Sequence, residues 1–292
     1  IIYYDLFNFQ FYYPRYNHIM ENNSSCEELK IYPVFEDPDR PNYRETHENI
    51  LAPPFRMCIV GASKTGKSVL LMNYVARSCY WGGDKDKGIE PLFEKIIVFS
   101  PNLGLDSSTR HLKKLAGDEN IYTDYHDYMI DEIIQGQKNA GLEREKILII
   151  ADDLIALGCS PMSRIFTATS YLRHLDCSIV FLTQTYQSHN TIPTIVKNNL
   201  EGMVWFKSPS SKQSKSFCQD LSGTFGTDVN VKNMIDYATL KPFEFAFFNY
   251  RDLTAWRNHE EKLWEKFDAN GNYNTEFVPR NPGTKEKKYI ED

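Results

Sequence analysis

Eight consecutive residues, Gly61-Ala62-Ser63-Lys64-Thr65-Gly66-Lys67-Ser68, follow the apolar run Phe55-Arg56-Met57-Cys58-Ile59-Val60. The spacing G-x-x-x-x-G-K-S suits a loop wrapped around phosphates. Gly61 and Gly66 can take backbone angles closed to other residues. Successive backbone N–H groups can therefore turn inward onto an anion. Apolar Val69, Leu70, Leu71, Tyr74 and Val75 come next and read as a helix, which puts a helix N-terminus under the same phosphates. Within such a loop Lys67 would reach the β- and γ-phosphates and Ser68 would hold Mg²⁺. A plain Gly/Ser/Lys surface turn is the bland alternative, and the flanking strand and helix patterns argue against it.

Three further groups fit the chemistry of a bound triphosphate. The run Lys146-Ile147-Leu148-Ile149-Ile150-Ala151 ends in Asp152-Asp153. A carboxylate at the carboxyl end of a sheet strand can hold a metal hydration shell beside a triphosphate, and this task falls to Asp152. Its neighbour Asp153 can orient and deprotonate an attacking water, provided it lies one hydrogen bond from it. A second apolar run, Ser178-Ile179-Val180-Phe181-Leu182-Thr183, ends in Gln184, whose amide can bond the γ-phosphate or the water. Arg173, in Arg173-His174, stands just ahead of that strand, where it can reach a neighbouring subunit's γ-phosphate and supply transition-state charge. Each of the three has an ordinary reading as well: an acidic cap, a polar strand end, or a helix-terminal cation favoured by the dipole.

These groups need a frame that brings strand ends together. Strands are expected at 55–60, 95–100, 121–123, 147–151, 178–182, 202–206 and 243–249. Helices are expected at 67–80, 106–115, 124–139, 162–174, 212–221 and 231–237. Several of the strands are continuous apolar runs, as when helices cover both faces of a parallel sheet. The alternation predicts an α/β fold of the P-loop NTPase type, RecA/ASCE-like, with a mostly parallel central sheet. Residues 1–50 carry little periodicity and many prolines and read as an N-terminal arm, partly disordered, with Met20 a candidate true start. Residues 51–250 read as the core, and 251–292 as a C-terminal helix and tail.

The chain has 292 residues, 41% hydrophobic and 25% charged, which suits one globular domain of about 200–250 residues with tails, or two small domains. No apolar run approaches the roughly 18 residues of a membrane span, and the aromatic start lacks the pattern of a signal peptide. Six scattered cysteines without a C-x-x-C pair read as buried reduced thiols. A net charge of −6 argues against a broadly basic surface but not against a local basic cluster.

The order GASKTGKS, ILIIADD, LRH and SIVFLTQTY resembles the FtsK–HerA superfamily of P-loop motor ATPases. Within it the likeness is greatest to the poxvirus-type genome-packaging ATPases of large DNA viruses and virophages. It covers about residues 55–250 and includes a later segment, Pro193-Thr194-Ile195-Val196-Lys197-Asn198-Asn199. The resemblance implies ATP and Mg²⁺ as cofactors. It implies phosphate-loop roles for Gly61 to Ser68, a metal-holding Asp152, a catalytic Asp153 where many motors carry Glu, a sensor Gln184 and an Arg173 acting in trans. Lys197 stands where those relatives usually have Arg, and Lys lacks the planar fork. A homo-oligomeric ring, hexameric or pentameric, translocating duplex DNA without sequence preference is implied too. So are capsid or portal partners, no membrane, and action in the host cytoplasm at viral factories or on the virion. Pore-facing candidates are Lys207, Lys212 and Lys215, or Lys285, Lys287 and Lys288 in the tail. Other readings remain open: a nucleoside or small-molecule kinase, a non-hydrolytic switch, and a conjugation- or secretion-type pump.

Overall fold

The computed structural model describes residues 43–102, 107–186 and 192–266, together with Asn274 and Phe277. Most of the N-terminal arm, Met20 and the lysines at 285, 287 and 288 lie outside these. Nine strands form one sheet: β1 (Arg56–Val60), β2 (Lys95–Phe99), β3 (Ile121–Tyr122), β4 (Ile147–Asp152), β5 (Cys177–Thr183), β6 (Gly202–Phe206), β7 (Phe245–Asn249), β8 (Thr254–Arg257) and β9 (Glu261–Glu265). Their order is β3-β2-β4-β5-β1-β6-β7-β8-β9. Every pair from β3 to β6 is parallel, and β6 to β9 are antiparallel.

The apolar runs become central strands because both faces are covered, and side chains alternate between two cores. Cys58, Val60, Ile149, Ala151, Ile179 and Phe181 go to one face. There they meet α3 (Asp127–Ala140), α4 (Arg164–Thr167), α5 (Thr194–Lys197), α6 (Ser211–Leu221) and α7 (Asp228–Ala238). Met57, Ile59, Leu148, Ile150, Val180 and Leu182 go to the other, against α1 (Lys67–Ala76) and α2 (Ser107–Ala116). This is the α/β, mostly parallel architecture expected from the sequence. At the amino ends of β1 and β6, the Arg56 guanidinium pairs with Glu201 at 3.2 Å, and Arg251 reaches the same carboxylate at 3.0 Å.

Two expectations fail locally. Where a helix was expected over 162–174, α4 lasts four residues and gives way to 3₁₀ turns at Ala168–Ser170 and Leu172–Leu175. Thr167, Thr169 and Ser170 hydroxyls donate to the carbonyls of Arg164, Ile165 and Thr167. Such side-chain bonds compete with the α-helical ladder, and the backbone tightens. The C-terminal helix expected beyond residue 250 is also contradicted at 254–265, where β8 and β9 form a hairpin. Its turn carries Asn258 at φ 53 and His259 at φ 62, and Glu260 N–H donates to Arg257 O at 3.0 Å. Two successive positive φ values make this a type I′ hairpin turn, which glycine usually signals and which Asn-His does not. Of the cysteines described, Cys58, Cys159, Cys177 and Cys218 are buried free thiols, while Cys79 is exposed.

The hairpin turn braces α1, the helix that follows the Gly61–Gly66 loop. His259 is 2% exposed, and its Nε2 lies 2.5 Å from the Tyr74 hydroxyl on α1. Asn49 donates to the His259 carbonyl at 2.8 Å, and the Phe247 ring lies 4.7 Å from the imidazole. Burial drives the His259 pKa down to about 3, with nearby His47 adding to the shift and an Asn49 hydrogen bond opposing it.

The unfolded chain binds a proton at this residue below about pH 6.5, and the folded chain does not. The contribution of neutral His259 to stability is therefore complete above about pH 6.5. It is lost toward pH 3 at about 1.4 kcal/mol per pH unit. Between pH 7 and pH 5 the wild type should lose about 2 kcal/mol more than His259→Gln in urea unfolding. Equal slopes for the two proteins would remove His259 from the pH dependence.

Candidate functional site: a phosphate loop beside paired aspartates

The loop 61–66 leaves β1 and enters α1 through two glycines whose geometry is demanding. A Cβ on Gly61 would lie 2.6 Å from Thr65 Oγ1 and 2.8 Å from Phe206 Cβ, so only glycine lets the loop close over the strand end. Gly66 caps α1 at φ 108, a conformation that L side chains rarely adopt. No side chain caps this helix N-terminus, and its first turn holds no acid. The positive end of the helix dipole thus faces the cleft without an internal anion. Gly61 N–H donates to Thr183 O at 3.1 Å, which fastens the loop to β5. The Lys67 ammonium folds back over the loop, donating to the carbonyls of Gly61 at 2.7 Å and Ala62 at 3.0 Å. Burial lowers its pKa, and Asp152 and Asp153 oppose that shift.

The other side of the cleft is set by strand register. β5 lies between β1 and β4, with Val60 opposite Thr183 and Asp152 opposite Leu182. Gln184 follows Thr183 directly, so the loop, the amide and the acids finish at one edge. Ser100, at the end of β2, donates from its hydroxyl to Asp152 Oδ2 at 2.9 Å and fixes that carboxylate. The chain turns sharply at Asp153, which has φ 48 while its N–H still donates to Leu182 O at 3.2 Å. Aspartate tolerates this left-handed region better than most residues. Ser63, Lys64, Lys67, Ser68, Asp152, Asp153 and Gln184 line one cleft of about 470 Å³. A second groove of about 420 Å³ lies between β2, β3 and α3 and includes none of these residues.

Arg173 is not part of this cleft. It is exposed in the 3₁₀ turn before β5, at the amino edge of the sheet. A seven-residue strand separates it from Gln184, on the order of 20 Å. Lys197 is held within its own chain, 2.8 Å from Asp220 and 3.8 Å over the Tyr186 ring. Lys207, Lys212 and Lys215 are exposed, after β6 and on α6. Sequence reasoning missed three residues. Ser100 ends an expected strand, so the polar-strand-end argument used for Gln184 would have found it. Asn102 and Phe243 also line the cleft, and neither carries a motif signal. The Phe243 backbone sits at φ 68, a conformation costing on the order of 1–3 kcal/mol for a bulky residue.

No family profile matches the chain, and no curated protein sequence matches it. Among solved structures it is similar to the genome packaging NTPase B204 from Sulfolobus turreted icosahedral virus 2 in complex with AMP. That match is 16% identical with a TM-score of 0.49 and covers 71% of this chain and 98% of that one. B204, the DNA-packaging ATPase from Sulfolobus turreted icosahedral virus, matches at 15% and 0.49 over the same shares. The pCW3 conjugation coupling protein TcpA, in monomer form with ATPγS, matches at 14% and 0.44, covering 66% of this chain and 56% of that one. Identities of this order transfer no residue roles, which rest on the geometry above.

The residues fit a magnesium nucleotide: an amide-lined turn, an uncapped helix end, a lysine, a hydroxyl and a fixed carboxylate share one cleft. Lys67→Ala should weaken binding of an ATP analogue about 10- to 100-fold, the worth of one charged hydrogen-bonding group. Calorimetric titration checks this, and unchanged affinity would remove Lys67 from the site.

Proposed function

We propose that this chain is a Mg²⁺-dependent ATPase that drives translocation of duplex DNA, as a genome-packaging motor of a DNA virus. The observation that carries the ATPase reading is the convergence of the Gly61–Ser68 loop, Asp152, Asp153 and Gln184 on one cleft. The packaging reading rests on the order of motifs along the chain, with an Arg-His ahead of a strand ending in Gln. Action would be in the host cytoplasm. No helix among the described residues is long and apolar enough to cross a membrane.

In this mechanism Lys67 exchanges the carbonyls of Gly61 and Ala62 for phosphate oxygens. Backbone amides of the loop and the start of α1 orient the triphosphate, so positioning and charge do most of the work. Ser68 and Asp152 would hold the metal, with Ser100 keeping Asp152 in place. When bound, Mg²⁺ offsets the negative charge that develops on the phosphates. The Asp153 carboxylate accepts a proton from the attacking water, and the Gln184 amide orients that water. Arg173 lies too far away to serve its own cleft. Its exposed place at the opposite edge suits action on the nucleotide of a neighbouring subunit in a ring. DNA contact through Lys207, Lys212 and Lys215 would be electrostatic and sequence-independent.

Asparagine fits the left-handed backbone at residue 153 without the negative charge. Asp153→Asn should therefore slow phosphate release about 10²- to 10⁴-fold while ATP-analogue affinity is retained. A rate equal to wild type would take this residue out of the chemistry. Phosphate release without any added acceptor separates hydrolysis from a kinase reaction. Long duplex DNA should raise the rate at low salt and lose its effect as salt rises. A rate indifferent to DNA at every salt concentration tells against translocation. Mixed rings of Arg173→Ala and Lys67→Ala subunits should recover part of the activity that each lacks alone. No recovery in rings shown to be mixed would dispose of the trans role.

A further inference from the structure

The cleft has an apolar flank that the phosphate chemistry does not use. Phe243 lines it and is 69% exposed, and Val69, on the first turn of α1, lines it too and is 55% exposed. Exposed apolar side chains are common singly, but this ring is held in place at a conformational cost. Lys241 to Glu244 form a turn in which Glu244 N–H donates to Lys241 O at 3.3 Å. Pro242 occupies the second position and Phe243, at φ 68, the third. A type II turn places glycine or asparagine at that third position, because a side chain there is strained. The turn is clamped from below. Glu244 accepts from Lys241 N–H at 2.9 Å and pairs with Arg257 on β8 at 2.7 Å.

Topology says which end of a nucleotide meets this ring. Asp152 ends β4, Asp153 follows it and Gln184 follows β5, all on one side of β1. The 241–244 turn leads into β7, which lies on the other side of β1 beyond β6. β7 runs antiparallel to β6, so its amino end lies at the same edge as the loop. A Cβ added to Gly66 would lie 3.2 Å from Phe243 Cδ1, so the ring leans against the loop where α1 begins. A triphosphate whose γ end faces Asp153 and Gln184 therefore points its other end toward β7.

We propose that Phe243 is the stacking surface for the nucleobase, with Val69 completing the apolar wall. This rests on the nucleotide reading and adds to it the part of the ligand that the loop motif leaves unspecified. An aromatic face accepts any base, so the contact supplies affinity for nucleoside triphosphates over inorganic polyphosphate rather than a choice among bases.

The test compares ATP with inorganic triphosphate, which lacks a base, on the full chain. Phe243→Gly suits the left-handed turn, so the variant should unfold no earlier than wild type. Its affinity for ATP should fall about 5- to 100-fold while its affinity for inorganic triphosphate is unchanged. Phe243→Trp should retain ATP affinity and show a fluorescence change, relative to wild type, with ATP but not with inorganic triphosphate. Unchanged ATP affinity in a folded Phe243→Gly protein overturns the proposal alone. Equal losses for both ligands overturn it too, because the ring would then act only through the phosphate loop. If wild type binds neither probe, the nucleotide reading falls and the proposal with it.

Discussion

Three parallel strands that stop at one level, β1, β5 and β4, are the constraint on which the site depends. Neighbouring strands lie about 4.8 Å apart, so one intervening strand sets the loop and the acids about 10 Å from each other. That gap holds Thr183 and Gln184. The ladders that pair Val60 with Thr183 and Asp152 with Leu182 fix the level as well as the spacing. A slip of one residue would turn the buried row Met57, Val180 and Ile150 to the wrong face. The two apolar cores thus hold the polar edge in register, although no apolar side chain in them performs chemistry.

Much of this was legible in the sequence because the governing signals are local. Apolar runs of five to seven residues ending in Gly, Asp or Gln mark strands whose carboxyl ends matter, and the structure places β1, β4 and β5 there. Two departures came from hydrogen bonding that periodicity does not record. Hydroxyl-to-carbonyl bonds at Thr167, Thr169 and Ser170 broke a helix that the apolar spacing suggested. The β8–β9 hairpin turns through Asn258 and His259 without the glycine that announces such turns. Ser100 ends an apolar run as Gln184 does, but its contact with Asp152 depends on β2 lying beside β4, a neighbour relation set by the whole sheet.

The two edges of the sheet differ in kind. The carboxyl edge presents backbone amides, a lysine and carboxylates around an open cleft. The amino edge is closed by the carboxylate of Glu201 between Arg56 and Arg251, and Arg251 also donates to the carbonyls of Ala52 and Pro54. Breaking a buried pair of this kind costs about 3–5 kcal/mol, because the remaining charge stays buried. The entry to β1, the start of β6 and the segment before β1 are therefore tied at one end, while at the other end β1 leads into the loop. Arg173 lies on this closed edge, in the 3₁₀ turn before β5.

The resting place of Lys67 has a thermodynamic consequence for what can enter the cleft. Its ammonium is held by two carbonyl oxygens of the loop, those of Gly61 and Ala62. Any newcomer competes with those neutral acceptors and must offer more negative charge than they do. Sparsely charged solutes gain nothing from the exchange, whereas a polyanion gains the lysine and the exposed helix end together. Selection by charge density is thus built into the loop itself, before any base, metal or neighbouring subunit contributes.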